Sequence, residues 1–352
     1  MIVHVITANR KHIVPQLIEG FLKYIHKEQY FLLASDTYID RKIYDDIFNK
    51  YSKNNYTVIT SFAELKKISK KFKNEFILLH GVPYKWMFYY LTSGFNNINW
   101  ICWGAGARIN KSNWKSVVFT PLKGFMYRRF KKVGVLMPQD GVSLKKDYKI
   151  KRTTLLSYFG SIDSFPYTEN DIKKEVREKK EKKKIYLGNN SSCLNTYLLL
   201  IEKLKRFNQH IKITCMANYS FKESSTSREL QKRGKEIFRN NFILDTKLYP
   251  LNEYYSYMNN CDIYICAAQG QSGLGAIYTC LRLGKKVFLS GINYEWMKSL
   301  GCHVFHVDEI DKMEPKDFLD DISYKEKIDN YRIIRSYLNI EQILNKWNEF
   351  LS

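Results

Sequence analysis

Along the chain, apolar runs of four to six residues alternate with longer segments in which apolar positions recur every three or four residues. The short runs read as strands buried on both faces and the longer segments as amphipathic helices. That alternation is the pattern of parallel sheets covered by helices. The first half supplies candidate strands IVHVI (2–6), YFLLA (30–34), TVIT (57–60), EFILLH (75–80), INWICW (98–103), VGVLM (133–137) and TTLLSY (153–158). The second half repeats the scheme with KIYLG (184–188), IKITCM (211–216), NFIL (241–244), DIYICA (262–267), KVFLS (286–290) and HVFHV (303–307). Between them TENDIKKEVREKKEKKK (168–184) has nothing to bury and reads as an exposed linker or a solvated helix. The pattern therefore predicts an α/β domain over 1–165, a charged linker over 166–184, a second α/β domain over 185–330, and a terminal amphipathic helical segment over 331–352 that packs on the body. Two such sheets facing each other would leave a cleft at their strand C-termini, where open α/β sheets bind ligands.

The loops after the strands carry the candidate chemistry. After KIYLG come Gly188, Asn189, Asn190, Ser191 and Ser192, and then a helix with Leu194, Leu198, Ile201 and Leu204 on one face. A strand, a glycine turn and a helix N-terminus aim free N–H groups and the positive end of a helix dipole at one point, which suits an anion such as a phosphate. After DIYICA, a second loop of this kind runs from Ala268 through Gln269, Gly270, Gln271, Ser272 and Gly273 to Gly275. Each alone reads rather as a sharp strand-to-helix turn; two on one rim would hold a diphosphate while Tyr219 or Tyr249 stacks on a base. No GxxxxGK[ST], no GxGxxG and no Asp-x-Asp occurs, so a P-loop NTPase is excluded. Charge stabilisation falls to helix ends, amides and basic side chains rather than to a carboxylate-held metal. In the first half, His80-Gly81, Trp103-Gly104-Ala105-Gly106, and His12 with Asn9 and Arg10 follow strands in the same way. A histidine at such a strand end suits a general base, or it serves only to satisfy a backbone carbonyl.

Charge changes the picture in one region. Lys and Arg total 57 against 35 Asp and Glu, a net +22, which calls for an anionic partner: nucleic acid, an anionic membrane surface or phosphorylated substrates. From Arg108 to Arg152 there are thirteen Lys or Arg residues and only Asp140 and Asp147 to oppose them. Within it, residues 107–132 interleave Trp114, Phe119, Leu122, Phe125, Met126 and Tyr127 with cations including Arg108, Arg128 and Arg129. That reads as a membrane-surface segment, or as a solvated helix whose Lys and Arg stems cover a packed apolar face. No nucleic-acid module is recognisable, which argues against that rival class. The seven cysteines are odd in number, lack a CxxC pair and mostly sit in apolar runs, as buried thiols of a reducing compartment do. MIVHVITANRK is too soon charged for a secretory signal, and no run approaches the roughly 20 apolar residues of a membrane span. The expectation is a cytoplasmic protein that meets a membrane from the side.

Taken in order, HVITANRKH, HG with INWICWGA, YRRFKKVG, LGNN with Asn195, CMANY, NNCDIYI, QSGLGAIY and NYEWM make the chain similar to the bacterial 4-alpha-N-acetylfucosaminyltransferases, glycosyltransferase family 56. That family moves N-acetylfucosamine from a dTDP-sugar to a polyprenyl-diphosphate-linked acceptor. The resemblance implies a GT-B fold, two Rossmann-like domains with a cleft between them, and no required cofactor or metal. It places Gly188, Asn189, Asn195, Gln271, Gly273 and Gly275 at the donor, Met216 and Tyr219 near the nucleotide, and His12, His80, Trp103 and Gly104 on the acceptor side. Gly106 stands where the family pattern has Asp in Trp-Gly-Ala-Asp, and Asn9 where it has Asp. The expected function is transfer of a deoxy- or amino-sugar, with inversion, to a lipid-linked or other glycan acceptor at the inner face of the cytoplasmic membrane, in making a bacterial surface polysaccharide such as lipopolysaccharide, O-antigen or capsule. His12 or His80 would act as base, and the 108–152 segment would hold the acceptor diphosphate and the anionic membrane. The rivals are a nucleic-acid-binding protein and a sugar-nucleotide binder without turnover.

Overall fold

The computed structural model describes residues 1–8, 13–36, 39, 41–51, 55–104, 106–107, 118–159, 165–174, 182–188, 194–218, 221 and 223–352. The chain forms two compact units, Met1–Ile162 with Leu338–Ser352, and Asp163–Tyr337.

In the first unit, strands β1 (Ile2–Thr7), β2 (Gln29–Ala34), β3 (Tyr56–Ile59), β4 (Phe76–His80), β5 (Ile98–Cys102), β6 (Val133–Val135) and β7 (Thr154–Leu155) form one parallel sheet in the order β3-β2-β1-β4-β5-β6-β7. Successive side chains of a strand enter opposite faces, so Ile77 and Leu79 pack with Val3 and Val5 while Leu78 packs with Ile6 and Leu33. Both faces are covered, which is why the strands read as unbroken apolar runs. The second face is closed by the Ile340–Leu351 helix, which buries Ile343, Trp347, Phe350 and Leu351. Trp347 Nε1 donates to the Ser157 carbonyl at 2.8 Å. The ammonium groups of Lys27 and Lys132 meet the terminal carbonyls of Leu351 and Phe350 at 3.1 and 3.0 Å, where a helix end favours cations.

In the second unit, β8 (Lys183–Leu187), β9 (Ile211–Met216), β10 (Phe242–Asp245), β11 (Ile263–Cys266), β12 (Lys286–Leu289) and β13 (Phe305–His306) form a parallel sheet in the order β10-β9-β8-β11-β12-β13. In each sheet the order reverses at its first strand, so β1 lies between β2 and β4, and β8 between β9 and β11. Loops leaving the carboxyl ends there diverge and open a crevice, the usual ligand position in such sheets.

The charged stretch and the C-terminal segment both hold helices. Within the charged 166–184 stretch, a helix forms at Glu169–Lys174, where Ile172 packs on Ile328 and Tyr331 and Glu169 takes two hydrogen bonds from Arg332 at 2.9 and 2.8 Å. A single apolar side chain in a polar run is enough to seat it. The 331–352 segment is divided between the units: Tyr324–Tyr337 is one helix of the second unit, and Asn339 caps a new helix by accepting from Gln342 N at 3.1 Å. Cys102, Cys215, Cys261, Cys266, Cys280 and Cys302 are buried, and no disulfide occurs among the described residues. Among the described residues, no helix is long and apolar enough to cross a membrane.

Candidate active site

Five strand ends of the second sheet deliver one rim: Gly188 after β8, Ala217 and Asn218 after β9, Tyr249 beyond β10, Ala267 to Gly273 after β11, and Ser290-Gly291 after β12. At the reversal point, Gly188 has φ +58° and its amide donates to the Ile265 carbonyl at 2.7 Å. A Cβ here would fall 1.8 Å from the Tyr197 hydroxyl, which itself donates to the Met216 carbonyl at 3.2 Å. One buried tyrosine thus ties the exits of β8 and β9 together, and only glycine admits it. Asn189, Asn190, Ser191 and Tyr219 lie outside the described residues, as do His12 and Arg108. Asn195 is exposed on the first turn of the Leu194–Leu204 helix, while Met216 is closed in the core.

The β11 loop turns into the Leu274–Arg282 helix at Gly273, the N-cap. The first intrahelical bond at this end runs from Ile277 N to Gly273 O at 2.9 Å, so the amides of Leu274, Gly275 and Ala276 precede the ladder and form the positive end of the helix dipole. A Cβ built on Gly275 meets no described atom within 4 Å, and the residue is exposed. On the same rim, Oε1 of Gln271 and Oδ1 of Asn218 are buried and receive no hydrogen bond from any described residue. An unfilled buried acceptor costs about 1–3 kcal/mol, a cost that a ligand hydroxyl or N–H would remove.

The loop is held from below by residues the sequence reading did not single out for that role. Gly291, φ +54°, lies with its Cα against the backbone of Gln269, Ile292 N donates to Gln269 O at 3.4 Å, and the buried Asn293 donates from Nδ2 to Ser272 O at 3.0 Å. Tyr249 is less available as a base platform than expected. Its ring is stacked on Tyr257 with centroids 4.4 Å apart, Lys247 Nζ lies 4.8 Å from its centroid, and its hydroxyl donates to Asp245 Oδ2 at 3.0 Å. Burial, and then Asp245, push that phenol up to about 12, so it remains a neutral donor.

The first sheet places His80 differently from the expected base. His80 and His4 are fully enclosed, and the polar chain around them has one consistent proton order. Gln29 Nε2 donates to the carbonyls of Ile25 (2.6 Å) and Phe21 (3.1 Å), which turns its oxygen to His4 Nε2 at 3.1 Å. His4 therefore carries its proton on Nε2 and accepts at Nδ1 from His80 Nε2 at 3.0 Å. His80 then accepts at Nδ1 from the Tyr158 hydroxyl at 2.8 Å, and that oxygen accepts from Trp103 Nε1 at 2.8 Å. Both imidazoles are neutral: burial holds His4 down at about 3, and burial and then His4 hold His80 well below the ordinary range. With both nitrogens engaged and no exposed surface, His80 reaches no substrate as placed here; it positions Tyr158 and Trp103. Replacing Tyr158 with Phe leaves His80 Nδ1 and Trp103 Nε1 without this partner, and a loss of about 2–4 kcal/mol in urea unfolding is expected; an unchanged midpoint would refute the chain.

Trp103 lies against Gly81, and Gly104 follows it at the rim. At Gly106 a Cβ would stand 3.0 Å from the Trp100 ring, and the Gly106 carbonyl accepts from Tyr127 at 3.0 Å, so the position is packed for the absence of a side chain. Arg128 donates to the Tyr148 carbonyl at 3.3 Å, and the Arg129 guanidinium lies 5.5 Å from the Phe125 ring. Among the described residues, no group of three or more His, Cys, Asp or Glu side chains is placed to hold a metal ion.

Residues 2–348 match the family model described as 4-alpha-L-fucosyltransferase, glycosyl transferase group 56. No curated protein sequence matches the chain. Among solved structures, a glycosyltransferase from Rickettsia africae ESF-5 is similar at 15% identity and a TM-score of 0.66, with 99% of this chain and 97% of that one covered. Anabaena Alr3699/HepE in complex with UDP-glucose is similar at 13% identity and a TM-score of 0.74, covering 100% and 99%. A UDP-N-acetylglucosamine 2-epimerase is similar at 13% identity and a TM-score of 0.55, covering 99% and 96%. At these identities the likeness is one of fold, the two Rossmann-like domains of GT-B proteins.

Proposed function

The chain belongs to glycosyl transferase group 56, the 4-alpha-L-fucosyltransferase family, and is a glycosyltransferase; from that premise we propose that it moves a deoxy- or amino-sugar from a nucleoside-diphosphate sugar, dTDP favoured, to a polyprenyl-diphosphate-linked or other glycan acceptor in bacterial surface polysaccharide synthesis. The observation that carries the donor half is the β11 loop beside the strand-order reversal: the amides of Leu274 to Ala276 precede the helix ladder, a Cβ on Gly275 meets no described atom within 4 Å, and the buried Gln271 oxygen receives no hydrogen bond from a described residue. The amides suit a diphosphate; Gln271 and Asn218 suit hydroxyl or N–H groups of the sugar or nucleoside.

In this reading an acceptor hydroxyl loses its proton to a base and its oxygen attacks the anomeric carbon. The bond from that carbon to the phosphate oxygen breaks with inversion, and the diphosphate leaves with the electron pair. The helix amides meet the developing charge without reorganising, which is the largest service such a site can perform and requires no metal. The enclosure of His80 leaves His12 as the base among the two histidines considered. Trp103 and Gly104 stay with the acceptor side, and a lipid-linked acceptor would bring the protein to the inner face of the cytoplasmic membrane.

Melting temperature measured against dTDP, UDP, GDP, CDP and CMP tests the donor half, because a ligand that binds only the folded state raises it. One diphosphate should act selectively, and Gln271→Ala should weaken binding of its sugar conjugate about three- to tenfold, the share of one hydrogen bond. No shift from any nucleotide, or unchanged affinity in Gln271→Ala, would overturn the assignment.

A further inference from the structure

We propose that the first unit docks on an anionic lipid surface through a face built by the Tyr84–Thr92 and Thr120–Tyr127 helices. Large apolar side chains gather there in the open: Val118 is 61% exposed, Phe119 52%, Leu122 50%, Phe125 55% and Phe88 50%. Contiguous exposed apolar surface of this kind marks an interaction site rather than ordinary solvent-facing chain. Leu122 and Phe125 lie three apart on the helix and form one stripe with Val118 and Phe119 just ahead of it, while Gly124, Met126 and Tyr127 are buried beneath. The stripe is rigidly mounted, since Tyr127 stacks on Trp100 at 4.5 Å and its hydroxyl donates to Gly106 O. Met126 and Tyr127, counted with the surface set in the sequence, turn inward, and Tyr84 and Phe88 join from the neighbouring helix. The two helices meet where the Tyr84 and Tyr127 hydroxyls lie 3.2 Å apart and Lys123 Nζ sits 4.4 Å from the Tyr84 ring centroid.

The charge around this face is mostly positive, Asp36 being paired with Lys85 of the first of the two helices at 2.6 Å. From residue 84 to residue 139 the sequence contains no Asp or Glu, and Lys123 and Arg129 lie at the stripe, beside the Tyr84 and Phe125 rings. The Arg129 guanidinium lies over the Phe125 ring, an apolar body beneath a charged head, as at the headgroup level of a bilayer. That combination chooses the occupant. A second copy of the chain packed face to face would set Lys123 and Arg129 against themselves. Nucleic acid would answer the cations but give Val118 and Leu122 nothing to bury against. An anionic bilayer answers both, each cation strengthening binding about fivefold. The 120–127 helix has eight residues, too few to span, so it lies in the interface plane.

Flotation with vesicles of phosphatidylcholine, alone or mixed with phosphatidylglycerol, tests this. The wild type should float with the mixed vesicles, weakly with phosphatidylcholine alone, and progressively less as NaCl rises. Leu122→Asp combined with Phe125→Asp should lower the bound fraction about tenfold or more, while Leu199→Asp, at a still more exposed leucine of the second unit, should leave it unchanged. Because Leu122 and Phe125 are exposed, melting temperatures should stay put, which separates lost docking from lost folding. The inference is sunk by failure of the wild type to float, by undiminished flotation of the double variant, or by a sedimenting dimer that the double variant converts to monomer. The nucleotide-induced melting shift, read in the same double variant, should persist; its absence in the wild type would count against the donor reading and leave the docking face untouched.

Discussion

Gly291→Ala should lower both donor affinity and stability, and by more than the same substitution at Gly301. Both glycines have positive φ, +54° and +89°, so alanine at either pays the left-handed penalty of about 1–2 kcal/mol. Their surroundings differ. At Gly301 the nearest atom to a new Cβ is Ile333 Cδ1 at 3.8 Å, an ordinary contact. At Gly291 the Cβ would lie 2.5 Å from Gln269 O, 2.7 Å from its Cα and 2.9 Å from its carbonyl carbon. Those are main-chain atoms, so no rotamer change gives relief and the loop running to Gln271 and Gly273 must move. A further cost of about 1–3 kcal/mol is expected from such overpacking. The displaced loop would shift the helix amides and the Gln271 oxygen, and an affinity loss of about tenfold or more for the nucleotide follows if this is worth about 1.4 kcal/mol. Calorimetric titration and thermal melts of the two variants side by side decide it. Equal behaviour of the two would mean that the β12 turn does not support the donor loop.

The strands were legible because parallel strands covered on both faces leave unbroken apolar runs; the reading of 211–216 coincides with Ile211–Met216. The reading overreached at sheet edges. TTLLSY and HVFHV reduce to Thr154–Leu155 and Phe305–His306, since an edge strand has one neighbour and its apolar residues find other partners, as Leu156 and Tyr158 do. In the site, the glycine loops after β8 and β11 were visible because sharp turns advertise themselves. Their supports were not: Gly291 and Asn293 matter only because β12 lies beside β11, a fact of strand order. His80 was misplaced for the same reason. A histidine ending a strand looks like a rim residue until β1 and β4 are known to be neighbours, which sets His80 beside His4 across 76 residues of sequence. Ile172 shows the converse, one apolar position in a charged run whose partners Ile328 and Tyr331 lie more than 150 residues away.

The buried histidine pair makes the first unit acid-sensitive well above the range where carboxylates titrate. In the native state both rings are neutral, His4 held down at about 3 by burial and His80 well below its ordinary range by burial and by His4. In the unfolded chain each takes a proton near pH 6.5. The unfolded state therefore binds more protons below that pH, and stability, complete above about pH 6.5, is lost as pH falls towards about 3. From about pH 7.5 to about pH 5 the loss is about 2 kcal/mol per histidine and about 4 kcal/mol for the pair, large beside the usual 5–15 kcal/mol. Fluorescence of Trp86, Trp100, Trp103 and Trp347, all in this unit, follows its unfolding in urea at each pH. A double variant, His4→Gln with His80→Gln, keeps amide donors and acceptors but cannot titrate, so it should be less stable at neutral pH yet lose about 4 kcal/mol less on acidification. Other titrating groups contribute equally to both proteins, so the difference in slope belongs to the pair. Parallel slopes would mean that the two imidazoles accept protons in the folded state, and the proton order from Gln29 to Trp103 would have to be abandoned.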